Sequence, residues 1–580
     1  MAGWTALNNQ PSFNANHMML LTDGTVLVQE LATANWYKLT PDNSGSYVNG
    51  SWSTLATGPV GPTYYASAVL MDGRVFMAGG EDNLGNDGVD INNCEIYDPV
   101  ADSWTTIGGP GWANIGDAPC CMLPDGTILL GNINDTSTAI YDPVANSWSA
   151  GPNKDDTSSE ETWTLLPDQT VLVAECQNHP AADKYVAPAN SWVSAGSIPA
   201  GHDLVQSSSG SSDEIGPAIL MTDGRVFAIG ASGHSALYTM PPIANQPGTW
   251  AAGPDFPTDK SGNLYEAFDA PAVLLPSGNV LCIAGPIQGD GWAGSPSHCY
   301  EFDGTNLNPA PDPANIANRE TWEVRMLLLP TGEVLLSSRS NDMRVYQPDG
   351  SPDPSWAPEI TSYPSTVAPG KTYTVEGRQL NGLSQANSYG DDATMATNYP
   401  LVRITNLSSG HVFYCRTHDF STMAVATGNV IHSAQFDVPS SIETGPAKLC
   451  VIANGIATCK TISVGYKIWK EVKFEIKENY KLEADIVLKG LFADFPKLKD
   501  NEGDPWQQYG GDPAWLQAVQ VIAERADQLQ QEIADLRAFI RPEERPRVGQ
   551  VALDAAAERP AKQQALRKKD ADKSKPKRRR

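Results

Sequence analysis

Seven short apolar segments recur along residues 1–356, and each is interrupted by a polar turn. In each segment an apolar run, a turn such as Asp-Gly and a second apolar run follow one another, which predicts a β-hairpin. The hairpins are predicted at 18–28, 68–80, 121–131, 164–174, 218–230, 272–285 and 326–338. Their turn glycines, or the residues that replace them, stand at 24, 73, 126, 169, 224, 278 and 332. The spacing of 43 to 55 residues indicates one structural unit repeated seven times.

Two further strands follow most hairpins. The first carries a tyrosine, at Tyr37, Tyr97, Tyr141, Tyr185, Tyr238, Tyr300 and Tyr346. The second carries a tryptophan, at Trp52, Trp104, Trp148, Trp192, Trp250 and Trp356, and is missing only from the sixth repeat. Four strands per repeat predict the blades of a seven-bladed β-propeller over 1–356. We expect Gly3-Trp4-Thr5 to form an extra strand that completes the last blade and closes the ring, so that no sheet edge is left exposed.

The pattern changes after Trp356, where short alternating strands are separated by turns. They are predicted at 372–377, 401–406, 434–439 and 448–455. This spacing is typical of an immunoglobulin-like β-sandwich, which we assign to 357–464. The predicted fold class is therefore all-β.

The sequences YDPVADSW (97–104) and YDPVANSW (141–148) resemble the kelch family of β-propellers. A seven-bladed kelch propeller followed by an immunoglobulin-like domain is similar to the galactose oxidase and glyoxal oxidase architecture. This resemblance implies copper-radical oxidation as one function to test, although one fold serves many functions.

The resemblance also implies where the copper and radical ligands would lie, nine residues before each hairpin glycine. In this chain that position holds Ala15, Tyr64, Asp117, Glu160, Ile215, Asp269 and Glu323. Tyr64 matches the cross-linked equatorial tyrosine, and His418 is the candidate for the histidine inserted from the sandwich domain; these two are the catalytic candidates. Ala15 replaces the cysteine, and Trp322-Glu323 replaces a Tyr-His pair. The ligand set is incomplete, so we do not expect copper.

Four of these seven positions are carboxylates, and rotation about the propeller axis should bring them together at one mouth of the channel. The candidate residues for a metal or a cationic ligand are Asp117, Glu160, Asp269, Glu323, Glu214 and His418. Clustered carboxylates favour a shared cation such as Ca²⁺ or Mg²⁺, and with the histidine added, Mn²⁺ or Zn²⁺. In the alternative interpretation the acids cap strand ends and pair with arginines such as Arg319 and Arg325.

The C-terminal region follows a different pattern. Residues 465–511 predict a β-hairpin and a linker, 512–541 an amphipathic helix, and 542–580 a disordered basic tail. The helix carries a heptad seam that includes Val519, Ile522, Leu529, Ile533, Leu536 and Ile540. Such a seam predicts self-association, and the alternative is a helix that packs on its own domain.

Charge is distributed unevenly along the 580 residues, whose formal net charge is −27. Residues 1–356 contain 10 basic and 40 acidic residues, whereas 559–580 contain 11 basic and 2 acidic residues. Contact with nucleic acid or an anionic membrane is therefore expected only through the tail. Nine cysteines without a CxxC pair predict neither a disulfide framework nor a zinc site.

Location and function are predicted from these features together. The chain shows no cleavable signal peptide and no apolar run of membrane-spanning length, so we expect a cytoplasmic protein, with signal-independent export left open. The predicted function is a non-catalytic binding or scaffold protein that uses the acidic mouth to contact a cationic protein surface or a glycan. The alternatives are a relative of the copper-radical oxidases with an altered metal site, and a metal-dependent hydrolase assisted by Asp117, Glu160, Asp269 and Glu323.

Overall fold

The structure is a computed structural model that describes residues 2–465 except 87, 206–213, 259, 261, 263, 288–293 and 390–394. The described residues belong to one compact unit, Met1–Lys467. The predicted hairpin and linker (465–511, described only at 465), heptad helix (512–541) and basic tail (542–580) lie outside the described residues, as do the six predicted oligomerisation residues.

The described part of 1–356 forms seven antiparallel blades, which confirms the predicted all-β propeller. The first three blades contain β2 (Ala15–Leu20), β3 (Val26–Glu30), β4 (Trp36–Thr40) and β5 (Ser51–Thr54); β6 (Ala66–Val69), β7 (Val75–Ala78), β8 (Cys94–Asp98) and β9 (Ser103–Ile107); and β10 (Cys120–Met122), β11 (Ile128–Leu130), β12 (Ala139–Asp142) and β13 (Ser147–Ala150). The fourth and fifth blades contain β14 (Trp163–Leu165), β15 (Thr170–Ala174), β16 (Ala181–Val186) and β17 (Ser191–Ser197); and β18 (Ala218–Leu220), β19 (Arg225–Ile229), β20 (Ser235–Thr239) and β21 (Thr249–Ala252). The sixth blade contains β22 (Tyr265–Glu266), β23 (Ala272–Leu274), β24 (Val280–Pro286), β25 (His298–Phe302) and β26 (Leu307–Pro309), and the seventh contains β27 (Arg325–Leu328), β28 (Val334–Ser337), β29 (Arg344–Gln347) and the N-terminal strand β1 (Gly3–Ala6). The described helices are short 3₁₀ turns at Asn83–Gly85, Ala187–Ala189, Ala314–Ile316, Thr321–Glu323 and Pro354–Trp356. None of the described helices has the length and apolar character needed to cross a membrane.

The hairpin turns form as the Asp-Gly pattern predicts. The Asp23 carboxylate accepts a hydrogen bond from the Thr25 amide at 3.0 Å, and Gly24 adopts a φ of 75°. Glycine takes this left-handed conformation without steric cost. Gln169, which replaces the glycine in the fourth blade, adopts a φ of 68° as well, so the turn geometry is kept where the glycine is lost.

The repeated tyrosine and tryptophan hold blades together. Tyr97 lies opposite Trp104 in the register of β8 and β9, with ring centroids 4.9 Å apart. The indole of Trp104 donates a hydrogen bond to the Ala56 carbonyl of the preceding blade at 3.0 Å. The Trp192 indole makes the same type of bond, to the Pro152 carbonyl at 3.2 Å. The outer tryptophans therefore join neighbouring blades.

The N-terminal strand closes the ring, as predicted. β1 pairs with β29, and Trp4 lies opposite Tyr346. The assignment of Trp356 to an outer strand is wrong, because it lies in the 3₁₀ turn Pro354–Trp356. There its indole packs against the hairpin turn at Gly278, where an added Cβ would lie 2.6 Å from it.

The predicted sandwich region forms one curled sheet. Its strands are β30 (Glu359–Ser362), β31 (Thr366–Val367), β32 (Thr372–Arg378), β34 (Leu401–Asn406), β35 (Val412–His418), β36 (His432–Asp437), β37 (Gly445–Ala453) and β38 (Ile456–Val464). β35 pairs with β34 over Val412–Cys415 and with β36 over Arg416–His418. The two halves of the sheet are thus hydrogen-bonded through one shared strand.

One disulfide forms among the nine cysteines, for which the sequence predicts no disulfide framework. Cys450 and Cys459 lie directly opposite each other in β37 and β38 and are covalently joined. The other seven cysteines are free and buried. The hairpin between β37 and β38 brings this pair together, so no CxxC motif is needed.

The curled sheet covers the propeller face that carries the hairpin turns, which we call the turn face. Three hydrogen bonds to the turns are Thr417 N to Thr22 O at 3.1 Å, Arg416 Nη2 to Asp72 O at 2.7 Å and Met423 N to Pro124 O at 2.9 Å. The opposite ends of the innermost strands surround the other opening of the channel, which we call the mouth.

A segment of the same region, residues 381–389, enters the channel from the turn face, and we call it the channel segment. It contains the short strand β33 (Asn387–Ser388), which pairs with β23. Gln385 Oε1 accepts a hydrogen bond from the Leu165 amide at 2.8 Å, and Asn387 Oδ1 accepts one from the Leu328 amide at 2.7 Å. The channel segment therefore satisfies amide groups of the innermost strands of the fourth and seventh blades. Its last residue, Tyr389, reaches the mouth.

Candidate functional site

Three residues at the mouth share an unusual backbone conformation. Tyr64, Glu160 and Asp269 occupy the same position in the second, fourth and sixth blades, with φ values of 47°, 56° and 42°. Left-handed conformations are uncommon for residues other than glycine, and they concentrate at functional sites. The repeated conformation turns these side chains into the mouth as the innermost strands begin.

Three carboxylates meet at the mouth, and we call Glu160, Glu214 and Asp269 the acidic cluster. One carboxylate oxygen from each lies within 4.8 Å of the other two. Glu214 is 5% exposed and Asp269 8%, whereas Glu160 is half-buried. Two repeat positions and one neighbouring acid from the sequence prediction thus come together. Charges this close repel one another in a partly desolvated site, so they favour a shared cation.

A fourth acid, Glu266, lies beside this cluster and was not predicted. Burial, together with the negative charge of Glu214, raises the pKa of Glu266 to about 9. Its carboxyl group is therefore protonated at neutral pH. Glu266 stands three residues before Asp269, as Glu320 stands three residues before Glu323. This shared spacing is the sequence signal that could have identified Glu266.

An arginine–aromatic stack, formed by Tyr64, Trp322, Arg325, Arg339 and Tyr389, lies at the same mouth. Arg339 donates a hydrogen bond to the Tyr64 hydroxyl, and its guanidinium lies 4.4 Å from the centre of the Trp322 ring. The Arg325 guanidinium lies 3.6 Å from the centre of the Tyr389 ring and 5.3 Å from that of Tyr64. Such cation–π contacts are strongest where the groups are desolvated, and Arg325 is fully buried.

The Tyr64 phenol stays protonated in this setting. Burial raises its pKa above the usual value, and the negative charges of Asp269 and Glu81 act in the same direction. The positive charges of Arg339 and Arg325 oppose the shift without reversing it. The hydroxyl is therefore a hydrogen-bonding group at neutral pH and not a phenolate.

Glu323 and Asp117, two further repeat positions, lie outside the acidic cluster. Glu323 accepts hydrogen bonds from Arg319 Nη1 at 2.6 Å and from the Glu320 amide at 3.1 Å, in the cap of the 3₁₀ turn Thr321–Glu323. This is the strand-capping role of the alternative interpretation. Asp117 is buried in the loop before β10.

His418 lies at the turn face, away from the acidic cluster. Its ring nitrogens are 3.2 Å from Asp419 and 3.3 Å from Asp437, and the preceding residue, Thr417, bonds to Thr22 beside a hairpin turn. Tyr389 reaches the mouth instead, at the end of the channel segment. Nothing in its local sequence signals this role, because it depends on the path of the channel segment.

A second group of acids surrounds Lys154 and is neutralised from within. The Lys154 amine contacts both carboxylate oxygens of Glu161 and lies 2.9 Å from Glu175 Oε2, with all three side chains buried. Burial, and then the neighbouring Glu161, raise the pKa of Glu175 to about 9. Because the lysine supplies the positive charge, this group stabilises the fourth blade and is no candidate for a metal.

Copper was tested against the residues that the oxidase resemblance assigns to it. Ala15 offers no ligand atom, Glu323 is engaged by Arg319, and His418 lies at the other face. The Tyr64 hydroxyl accepts a hydrogen bond from Arg339, and the Arg325 guanidinium lies 5.3 Å from the centre of the Tyr64 ring, so two positive charges near this side chain repel a metal cation. The residues that the resemblance assigns to copper therefore do not fit a copper centre.

Comparisons with known proteins find one matching motif and distantly similar solved structures. Residues 62–111, which include Tyr64 and strands β6 to β9, match the Kelch motif family. A fungal alcohol oxidase of the AA5 family, solved in complex with copper, is 15% identical with a TM-score of 0.46; the match covers 80% of this chain and 99% of that chain. A catalytically inactive virginiamycin B lyase from Staphylococcus aureus, solved with quinupristin, is 10% identical with a TM-score of 0.43, and the match covers 60% of this chain and 100% of the lyase.

A search of the curated proteins finds no sequence that matches this chain. The fold and the motif nevertheless agree with each other, since the matched residues form the second blade of a ring of seven. The chain therefore carries a Kelch motif in a seven-bladed β-propeller, as its sequence predicts.

Proposed function

We propose that this protein is a non-catalytic binding protein whose acidic mouth takes up a cationic ligand. The observation that carries the proposal is the convergence of Glu160, Glu214 and Asp269, with carboxylate oxygens within 4.8 Å of one another. A cation placed among them relieves their mutual repulsion, and the free energy of that relief favours binding.

The oxygen-only donors of the acidic cluster suit a hard cation, and Ca²⁺ tolerates a wider range of oxygen separations than Mg²⁺ does. Calcium binds oxygens at roughly 2.3–2.6 Å, so two ligand oxygens on opposite sides lie up to about 5 Å apart. Magnesium binds at about 2.1 Å, which limits that separation to about 4 Å. The three carboxylate oxygens lie within 4.8 Å of one another, which is inside the calcium limit whatever their individual separations. A lysine or arginine side chain of a partner protein is the second source of a cationic group.

A thermal denaturation series distinguishes the two ligands. Excess Ca²⁺ should raise the melting temperature of the full chain relative to the same sample in chelator, because a ligand bound only to the folded state stabilises it. The Asp269→Asn variant should lose this increase. If Ca²⁺ leaves the wild type unchanged while a lysine-rich peptide raises the melting temperature, the ligand is a cationic side chain. No response to either contradicts the proposal.

Self-association through the heptad helix remains part of the proposed function. Joined copies would convert weak contacts at several mouths into avid binding. Sedimentation of the full chain, compared with a chain that ends at Leu488, tests this part. Equal numbers of copies per particle in both samples would contradict it.

The oxidase alternative rests on Tyr64, which lies at the mouth where the resemblance assigns an equatorial tyrosine. The Arg339 guanidinium at its hydroxyl and the Arg325 guanidinium near its ring weigh against it. Hydrogen peroxide formed from alcohols or aldehydes by copper-loaded protein, and lost in Tyr64→Phe, would establish the oxidase and contradict a non-catalytic role.

A further inference from the structure

Two histidines and an aspartate come together on the loops of the fifth blade. His202 lies in the loop between β17 and β18, His234 in the loop between β19 and β20, and Asp255 just after β21. His234 Nδ1 lies 2.8 Å from Asp255 Oδ1, and His202 Nδ1 lies 3.5 Å from the same oxygen. The two imidazole rings are 5.0 Å apart. One ligand atom from each residue lies within 4.8 Å of the others.

The three loops are fixed to one another by backbone hydrogen bonds. The Ala231 amide donates to Leu204 O at 2.9 Å, which joins the His202 and His234 loops. The Phe256 amide donates to Gly233 O at 2.9 Å, which joins the Asp255 and His234 loops. The backbone beside His202, His234 and Asp255 is therefore held together by hydrogen bonds, which lowers the cost of organising the three residues around a ligand.

The donor separations fit a transition-metal ion. Zinc binds imidazole nitrogen at about 2.0–2.1 Å and carboxylate oxygen at about 2.0–2.2 Å, so neighbouring donors in a tetrahedral site lie roughly 3.4 Å apart. The distances of 2.8 Å and 3.5 Å to Asp255 Oδ1 bracket this value. Two nitrogen donors and one oxygen donor suit Zn²⁺, Cu²⁺ or Ni²⁺, whereas Ca²⁺ prefers oxygen donors alone.

We propose that His202, His234 and Asp255 form a site for a divalent transition metal, with Zn²⁺ as the ion that fits. Their side chains are 29%, 28% and 49% exposed, so at least one coordination position faces solvent. That position is filled by water or by a donor atom from a bound partner. The site is separate from the acidic cluster in both residues and donor chemistry.

Other described histidine–carboxylate pairs lack this arrangement and provide a matched control. His298 Nδ1 lies 2.7 Å from Asp312, with exposures of 31% and 40% that resemble those of His234 and Asp255. No second histidine joins that pair in the described clusters. A change at His298 therefore removes a comparable surface interaction without touching the proposed ligands.

Calorimetric titration of the metal-free full chain with Zn²⁺ tests the proposal. The wild type should bind Zn²⁺, and its zinc affinity should fall by more than about tenfold in His234→Ala and in His202→Ala. Even the loss of a residue that only supports a metal ligand lowers metal affinity by roughly 10- to 100-fold. The His298→Ala variant should bind zinc as the wild type does, and excess Ca²⁺ should not displace the zinc. Melting curves of each variant verify folding.

A spectroscopic readout makes the test independent of folding differences. Co²⁺ bound in place of Zn²⁺ should give visible absorption bands that are typical of histidine ligands. These bands should disappear in His234→Ala and persist in His298→Ala. Zinc affinity that is unchanged in both His202→Ala and His234→Ala, or a wild type that binds no zinc, would overturn the proposal.

Discussion

Lys154 shows how a single residue determines the electrostatics of a blade. Its amine pairs with the Glu161 carboxylate and contacts Glu175 in the interior, where an unpaired charge is costly. The Lys154→Ala variant should lower the free energy of unfolding by about 3–5 kcal/mol, because the Glu161 carboxylate stays buried without its cation. Urea denaturation measures this change.

A surface lysine provides the control for that variant. Lys448 is exposed in β37, and Lys448→Ala should alter the unfolding free energy by less than about 0.5 kcal/mol. Equal losses in both variants would mean that the buried pair contributes nothing particular to stability.

Glu266 predicts a pH dependence at the residue scale. The pKa of Glu266 is about 9 in the folded chain, against the usual glutamate value of 4.5 in the unfolded chain. Between these two pH values the folded chain therefore binds one proton that the unfolded chain has lost. The free energy of unfolding therefore falls as pH rises through this window, by up to about 1.4 kcal/mol per pH unit. Glu266→Gln should flatten that decline and stabilise the chain at pH 8. A steeper decline in the variant, measured by urea denaturation from pH 5 to 9, would contradict the assignment.

At the scale of elements, the hairpins are predictable because their signals are local. The turn residues and the alternating runs lie within a few positions of each other, and Gln169 shows that tertiary context tolerates the loss of one glycine. The channel segment is different, because its pairing with β23 joins parts of the chain more than 100 residues apart. Gln385 and Asn387 act there through side-chain bonds to strand amides, which no periodic pattern encodes.

The same distinction applies to the candidate site. The sequence repeat predicts that Glu160 and Asp269 lie at the mouth, because equivalent residues of blades related by rotation converge there. It did not give Arg339 or Tyr389, which reach the mouth from the end of β28 and from the channel segment. His202 and His234 are 32 positions apart and meet only because adjacent loops of one blade fold together.

Closure by β1 carries its own prediction. Trp4 packs on Tyr346 with ring centroids 4.9 Å apart, and its indole donates to the Pro311 carbonyl at 2.7 Å. Trp4→Ala should lower the unfolding free energy by about 2–3 kcal/mol, less than the 3–5 of a fully buried aromatic, because the ring is half-exposed. Val144→Ala, at a side chain that is 97% exposed, should have no such effect in the same denaturation experiment. If Trp4→Ala leaves the free energy of unfolding unchanged, the propeller does not depend on closure by β1.

At the scale of the whole molecule, the two faces of the propeller differ in what they offer. The curled sheet covers the turn face, and the channel segment fills part of the channel. The mouth gathers the acidic cluster and the arginine–aromatic stack. The acidic cluster at the mouth supports the proposed uptake of a cation, and the copper ligands implied by the resemblance are not assembled there.

Calorimetric titration of the metal-free full chain with Ca²⁺ tests that central claim most directly. Wild type should bind Ca²⁺ at the acidic cluster, Asp269→Asn should lose that binding, and Glu323→Gln should keep it, because Glu323 occupies the same repeat position but is engaged by Arg319. Binding that is equal in Asp269→Asn and wild type, or absent from the wild type, would contradict calcium uptake at the mouth.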